Sequence, residues 1–140
     1  MASDAVFADA SFFFALAAKR DVAHTSAVGQ FGTLLRKQQR IVTTDYVIDE
    51  ALTLTKARTN AAVAVALLDR IERSEAIEVE MVSVGRFDLA KAFFRKHADH
   101  GYSFTDCTSF VVMRELKITD ALTTDAHFVQ AGFRALLCAD

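Results

Sequence analysis

The chain contains no proline and no tryptophan, and it has only two cysteines and five glycines in 140 residues. Two cysteines are too few for a disulfide scaffold or a zinc finger. We expect Cys107 and Cys138, which both lie among apolar residues, to be small buried side chains. No repeat, linker or low-complexity tract interrupts the chain, so we predict a single domain over residues 1–140.

Charge of either sign is not in excess, because 16 basic and 18 acidic residues give a net charge of -2. A broad phosphate-binding surface needs surplus Lys and Arg, so any nucleic-acid contact must be local or carried by metal ions. Composition alone favours a protein without a nucleic-acid partner. Asp4 and Asp9 interrupt the apolar N-terminal run, which also lacks a basic start. We therefore expect neither a signal peptide nor a membrane span, and a cytoplasmic location.

Apolar residues make up 52% of the chain, which is enough for a substantial core. Hydrophobic patterning predicts strands over residues 5–8, 40–43, 77–81, 121–124 and 134–138. It predicts helices over residues 11–18, 24–37, 45–56, 60–73, 84–96 and 103–115. Strands that alternate with helices favour a mainly parallel sheet in a three-layer α/β/α sandwich. Ligands of such sheets bind beyond the carboxyl ends of the strands.

Three aspartates occupy positions that point to this edge. Asp9 and Asp125 each follow a predicted strand directly, although each can equally serve as the N-cap of the next helix. Asp106 lies in the first turn of a predicted helix, on the same face as Phe110 and Met113. A favourable interaction with the helix dipole explains an acid near a helix start, but it does not explain an inward-facing one.

Glu50 lies within a predicted helix, three residues after Val47 and four before Leu54. This spacing predicts that its side chain shares an apolar stripe, where a carboxylate is costly unless a cation or hydrogen bonds compensate it. The adjacent Asp49 falls about 100° away around the helix and is expected to face solvent. The four acids together suggest one cluster, in which mutual repulsion raises pKa values and a hard cation such as Mg²⁺ or Mn²⁺ is favoured.

Four segments resemble the PIN-domain nucleases, and among them the VapC-type toxins of bacterial toxin–antitoxin pairs. The segments are VFADASFFFAL, TTDYVIDEAL with Glu50, YSFTDCTSFVVMRE with Asp106, and DALTTDAHF with Thr123 and Asp125. The resemblance spans essentially the whole chain. Two positions depart from it: Ala10 stands where many relatives have Thr or Ser, and His127 stands where many have another acid.

The resemblance implies a PIN-like fold and a divalent-metal-dependent endoribonuclease, the toxin of a type II toxin–antitoxin pair. It implies that Mg²⁺ or Mn²⁺ is held by Asp9 and Asp106 as primary ligands, with Glu50 and Asp125 binding directly or through water. Ser11 and Thr123 would contribute to the cofactor site by orienting these carboxylates. The implied partners are an RNA substrate, a cognate antitoxin and a second copy of the chain.

Three other interpretations remain open from the sequence. The chain could be a PIN nuclease of RNA processing or repair, or a catalytically silent PIN-like binding module in which the acids only cap helices. A Mg²⁺-dependent phosphatase of another α/β fold is less consistent with the sequence. It needs a second Asp two residues after the first, where this chain has Ser11.

Overall fold

A computed structural model describes residues 4–138, so both ends of the predicted domain, residues 1–3 and 139–140, lie outside the described residues. The described residues form five strands, which are β1 (Val6–Ala8), β2 (Ile41–Thr44), β3 (Ile77–Glu80), β4 (Asp120–Leu122) and β5 (Arg134–Ala135). They also form seven helices, which are α1 (Ala10–Ala17), α2 (His24–Arg36), α3 (Asp45–Arg58), α4 (Ala61–Arg73), α5 (Val84–Lys96), α6 (Phe104–Glu115) and α7 (His127–Gln130).

The strands form one parallel sheet in the order β3-β2-β1-β4-β5. The central strands β1 and β2 are buried throughout, as expected for a parallel sheet covered on both faces. The chain proceeds from β1 outward to β3, and then returns through α5 and α6 to β4 on the other side of β1. The order of the strands therefore reverses between β1 and β4, which is where a crevice opens at the carboxyl edge of such a sheet.

Short polar residues fix the starts of four helices. The side chains of Thr44, Asn60, Ser83 and Ser103 each accept a backbone N–H bond from three residues further along. These N-caps satisfy helix N–H groups that would otherwise have no partner. Two of these caps, Thr44 and Ser103, hold the starts of α3 and α6 at the same end of the molecule as the carboxyl ends of the strands.

Helix α1 is apolar around nearly its whole circumference, and it is correspondingly buried. Phe12 and Phe13 have no exposed surface, and Phe14 is only 9% exposed. The ring of Phe12 packs edge-on against those of Phe13 and Phe31. The consecutive phenylalanines therefore belong to the core and are not a platform for stacking on nucleic-acid bases.

The structure confirms the predicted α/β/α sandwich. The sequence did not predict α7, because four residues are too few to show helical periodicity. The prediction for the last strand, residues 134–138, was too long, since β5 ends at Ala135. Leu136 and Leu137 still donate backbone hydrogen bonds to carbonyls of the β4 segment, but without regular strand geometry. Among residues 4–138, no helix has the length and apolar character needed to cross a bilayer.

Candidate metal centre

Asp9 leaves β1 at the carboxyl edge of the sheet, as the sequence predicted. Its backbone N–H donates to the carbonyl of Leu122, which continues the pairing of β1 with β4 by one residue. Asp9 occupies the N-cap position of α1, yet its side chain makes no capping hydrogen bond. The simple capping explanation therefore does not account for this carboxylate, which is 94% buried.

Two hydroxyl groups hold the Asp9 carboxylate instead. Thr123 Oγ1 donates to Asp9 Oδ2 at 2.8 Å, and Ser11 Oγ donates to the same oxygen at 3.0 Å. Each hydroxyl also accepts a backbone N–H bond from the loop after β4, Thr123 from Asp125 and Ser11 from Thr124. The hydroxyls thus connect the loop that carries Asp125 to Asp9.

Asp106 is also buried, with 6% of its surface exposed, and it lies in the first turn of α6. Its Oδ2 accepts a hydrogen bond from the Ser103 backbone at 3.1 Å, and its own N–H donates to Ser103 Oγ at 2.9 Å. This reciprocal pair is a capping box. The carboxylate therefore has a helix-capping role in addition to facing the cluster.

The loop after β4 brings two further groups to Asp106. His127 Nδ1 lies 3.4 Å from Asp106 Oδ2 and 3.2 Å from Asp125 Oδ1. One ligand atom from each of these three side chains lies within 4.8 Å of the others. Asp125 Oδ1 additionally accepts the backbone N–H of His127 at 2.9 Å, which fixes the two residues relative to each other.

Glu50 is exposed, so the prediction that it lies on a core-facing stripe of α3 was wrong. Val47 is fully buried but Leu54 is only half-buried, and Glu50 lies at the solvent-facing border of the apolar face. Glu50 nevertheless lies close enough to the cluster for the charges of Asp9, Asp106 and Asp125 to act on its carboxyl group. Asp49 is exposed, as predicted.

Electrostatic repulsion is concentrated in this cluster. Burial raises the pKa of Asp9, and the Asp106 charge raises it further, against the hydrogen bonds from Thr123 and Ser11. The pKa of Asp106 is raised by burial and by Asp125, against the Ser103 hydrogen bond and His127. Partial burial likewise raises the pKa of Glu50, together with the charges of the three aspartates. Without a cation, the cluster therefore opposes folding at neutral pH.

The donor set suits a divalent cation. Carboxylate oxygens are the ligands that Mg²⁺ and Mn²⁺ prefer, and here several converge on one crevice. The Nδ1 atom of His127 is screened from solvent and makes no hydrogen bond with the described residues. A buried nitrogen without a hydrogen-bond partner, together with the two carboxylates beside it, is a donor set that fits a divalent cation.

Sequence reasoning did not identify two parts of this arrangement. Ser103 forms the capping box with Asp106, and the Ser-x-x-Asp spacing would have indicated it. From the sequence, His127 is a departure from the family pattern, either structural or an aid to proton transfer, and its proximity to Asp106 could not be predicted because it depends on the packing of α7 against α6. Cys107 is buried as predicted, whereas Cys138 is half-buried, with its thiol near the Thr123 carbonyl.

Comparison with known proteins agrees with this fold. The PIN domain family matches residues 6–134. The chain is 34% identical over 128 residues to the 23S rRNA-specific endonuclease VapC20 of Mycobacterium tuberculosis, in two strains; the match covers 91% of this chain and 95% of that protein. The crystal structure of VapC20, described as a toxin that cleaves the sarcin–ricin loop, superposes with a TM-score of 0.82 at 32% identity. The superposition covers 92% of this chain and 96% of that structure.

The family match begins with β1 and ends at the first residue of β5, so it includes the carboxyl-edge residues Asp9, Asp106 and Asp125. The sequence and structural matches to VapC20 each cover more than nine-tenths of the chain. The resemblance seen in four short segments is therefore confirmed over the whole described fold, and the chain belongs to the PIN-domain family, with VapC-type ribonucleases among its relatives.

Proposed function

We propose that this chain is a divalent-metal-dependent endoribonuclease that hydrolyses RNA phosphodiester bonds, the toxin of a type II toxin–antitoxin pair. The single observation that carries the proposal is the close group formed by Asp106, Asp125 and His127, with the buried carboxylate of Asp9 within range of the Asp106 charge. Glu50 completes the acidic cluster from α3. The family and the similarity to VapC20 support the same chemistry.

The four acids would hold the cation, with Asp9 and Asp106 as the most rigid ligands. Asp9 is held by two hydroxyls and Asp106 by its capping box, so neither carboxylate has to be ordered when an ion binds. Glu50 is exposed and would bind directly or through water. A bound divalent ion supplies a water of lowered pKa and neutralises charge on the phosphate.

The chain's own residues orient these groups. Thr123 and Ser11 fix the Asp9 carboxylate and tie it to the Asp125 loop. Such supporting hydrogen bonds determine the direction in which a carboxylate presents its free lone pairs. The chain's small negative net charge agrees with this mode of binding, because cations at the site, rather than a basic surface, would attract the RNA backbone.

A ribosomal RNA loop is the first substrate to test, since the similar VapC20 is named for 23S rRNA and the sarcin–ricin loop. An RNA substrate also implies a cytoplasmic site of action. The purified protein is incubated with total cellular RNA in Mg²⁺, Mn²⁺ or chelator, and the new RNA ends are sequenced. We expect a small number of defined cleavage sites that require the ion.

Two variants make this experiment specific. Asp106→Asn removes a charge from the cluster, whereas Asp69→Asn removes one from the exposed face of α4. Cleavage that disappears in Asp106→Asn and persists in Asp69→Asn supports the proposal. If neither RNA cleavage nor ion dependence is seen with the folded protein, the nuclease assignment is wrong and a silent binding module takes its place.

We also propose an antitoxin partner and a homodimer. A cavity lies between α1, α2 and α4, and its apolar lining includes Leu16, Val28 and Leu67, which suits an antitoxin helix. A second apolar region follows edge strand β3, where Met81, Val84 and Leu89 are at least 59% exposed. Exposed apolar side chains within one short stretch of the chain support self-association, which light scattering of the purified protein would test.

A further inference from the structure

We infer that His127 is a metal ligand through Nδ1, and that it shifts the ion preference of this centre from Mg²⁺ toward first-row transition ions such as Mn²⁺. The inference rests on the proposed metal centre and assigns one of its ligands and its ion selectivity. Sequence reasoning assigned metal binding in this segment to Asp125 alone.

The first argument is the position of Nδ1. This atom lies 3.2 Å from Asp125 Oδ1 and 3.4 Å from Asp106 Oδ2, yet neither contact has the geometry of a hydrogen bond. About a third of the His127 side chain is exposed, but Nδ1 itself is screened from water. Among the described residues, the nitrogen thus has no hydrogen-bond partner, although two carboxylates lie within ion-pair distance of it.

The second argument is the spacing of the three atoms. Two neighbouring ligands of one ion, each about 2.1 Å from it, lie about 3.0–3.4 Å apart when they subtend the angles of octahedral or tetrahedral coordination. Both distances from Nδ1 to the carboxylates fall within this range. Nδ1 therefore lies at the separation from both carboxylates that two ligands of a common ion have, and one ligand atom from each of the three side chains lies within 4.8 Å of the others.

The third argument is that the surroundings hold the ring in this orientation. A Cβ atom placed on Gly101 would lie 2.9 Å from His127 Nε2, so the ring occupies space that any other residue at position 101 would fill. The Tyr102 ring contacts the imidazole edge-on, at 5.7 Å between centroids. The His127 backbone N–H is bound to Asp125. The far edge of the ring is thus packed against Gly101, while Nδ1 is directed toward the acids.

The selectivity follows from the type of ligand. Mg²⁺ prefers oxygen and releases its waters reluctantly, whereas an imidazole nitrogen favours transition ions. An acid at position 127, as the family pattern has in many relatives, would give an all-oxygen site. With His127, the cluster contains the carboxylates of the three aspartates, the exposed carboxylate of Glu50 and one imidazole nitrogen. We expect this centre to bind Mn²⁺ more tightly, relative to Mg²⁺, than an all-oxygen site would.

The experiment measures Mn²⁺ binding by electron paramagnetic resonance, independently of cleavage. In the wild-type protein we expect a nitrogen coupling from a directly bound imidazole on the Mn²⁺ signal. In His127→Ala this coupling disappears, and Mn²⁺ affinity falls about tenfold more than Mg²⁺ affinity. His127→Asp is expected to retain binding of both ions without the nitrogen coupling and with Mg²⁺ relatively favoured.

Two further variants act as controls. His24→Ala removes an imidazole of α2 whose Nδ1 is hydrogen-bonded to the Ala15 carbonyl, and it should leave both the coupling and the affinities unchanged. Gly101→Ala alters no ligand, but its methyl group would displace the far edge of the His127 ring. We expect it to fold and to lose most of the nitrogen coupling, because a flexible side chain can move aside.

The outcomes separate this inference from the proposed function. Two outcomes overturn the assignment of His127 and leave the metal centre standing. Either Mn²⁺ binds to the wild type without a nitrogen coupling, or the wild type and His127→Ala show the same preference for Mn²⁺ over Mg²⁺. Failure of the wild-type protein to bind either ion overturns the metal centre itself. A nitrogen coupling that survives in His127→Ala would mean that another histidine is the ligand, which also refutes the inference.

Discussion

Thr123 Oγ1 donates a hydrogen bond to Asp9 Oδ2 at 2.8 Å, although the two residues are 114 positions apart in the chain. Thr123 is fully buried and also accepts the backbone N–H of Asp125. One hydroxyl thus joins two of the acids that we propose as metal ligands. The relative position of these acids depends on this group more than on any contact between the carboxylates themselves.

Replacement of Thr123 by Val should therefore impair the centre while leaving the fold intact. Valine keeps the shape but removes the donor to Asp9 and the acceptor for Asp125, at a cost of about 1 kcal/mol in unfolding free energy. We expect ion affinity to fall about 10–100-fold, as when groups that orient metal ligands are removed. Isothermal titration with Mn²⁺ measures the affinity, and chemical denaturation measures the stability.

Thr55→Val is the matched control for that variant. Thr55 is also fully buried, but its hydroxyl has no hydrogen-bond partner among the described residues. Valine at this position should be neutral or stabilising, and ion affinity should not change. Equal losses of affinity in the two variants would contradict an orienting role for Thr123.

Asp106→Asn should stabilise the metal-free protein while abolishing ion binding. The raised pKa of Asp106 shows that burial and repulsion from Asp125 outweigh the favourable contacts of its carboxylate. Asparagine retains an oxygen that can accept the Ser103 N–H bond. We expect the melting temperature in chelator to rise by about 2–4 °C. Added Mg²⁺ or Mn²⁺ should then raise the melting temperature of the wild type and leave that of the variant unchanged.

The raised pKa of Asp106 also predicts how the difference in stability between the wild type and Asp106→Asn depends on pH. The pKa of Asp106 in the folded state lies above its ordinary value of 3.8, so the folded state binds more protons than the unfolded state just above that pH. The wild type therefore loses stability as the pH rises through the folded-state pKa. The advantage of Asp106→Asn in chelator should be absent near pH ~3 and reach a plateau above that pKa.

Denaturation of both proteins across this pH range tests the sign. Hydrogen bonds from Arg40 and Arg86 lower the pKa values of Glu78 and Glu115. The contribution of these two pairs to the stability of the protein therefore decreases as the pH falls. Their effect cancels in the comparison, because both proteins contain them. A variant whose advantage grew toward acid pH would disprove repulsion as the cause.

Glu50→Gln should weaken ion binding with almost no effect on folding. Glu50 is exposed, so its replacement should change the unfolding free energy by less than about 0.5 kcal/mol. Its carboxyl group nevertheless interacts with the charges of the three aspartates. Asp49→Asn changes the neighbouring exposed acid and should leave ion affinity and RNA cleavage as they are. If the two variants behave alike, Glu50 has no part in the centre.

The sequence predicted those parts of the site that depend on local order along the chain. Asp9 and Asp125 follow strands, and the carboxyl ends of parallel strands meet at one edge, so their convergence could be anticipated. The exposure of Glu50 could not be predicted, because helical spacing gives the direction of a side chain but does not show where the apolar face of the helix meets solvent. The contact of His127 with Asp106 depends on how α7 packs against α6, for which the sequence contains no periodic signal.

The position of β1 at the centre of the sheet has a consequence for synthesis of the protein. Asp9 is synthesised 114 positions before its supporting hydroxyl, Thr123, and the neighbouring acid, Asp125, follows Thr123. A nascent or truncated chain that stops before β4 therefore has no complete centre. Under the proposed function, the translating ribosome would be exposed to the activity only after β4 and the loop that follows it have been made.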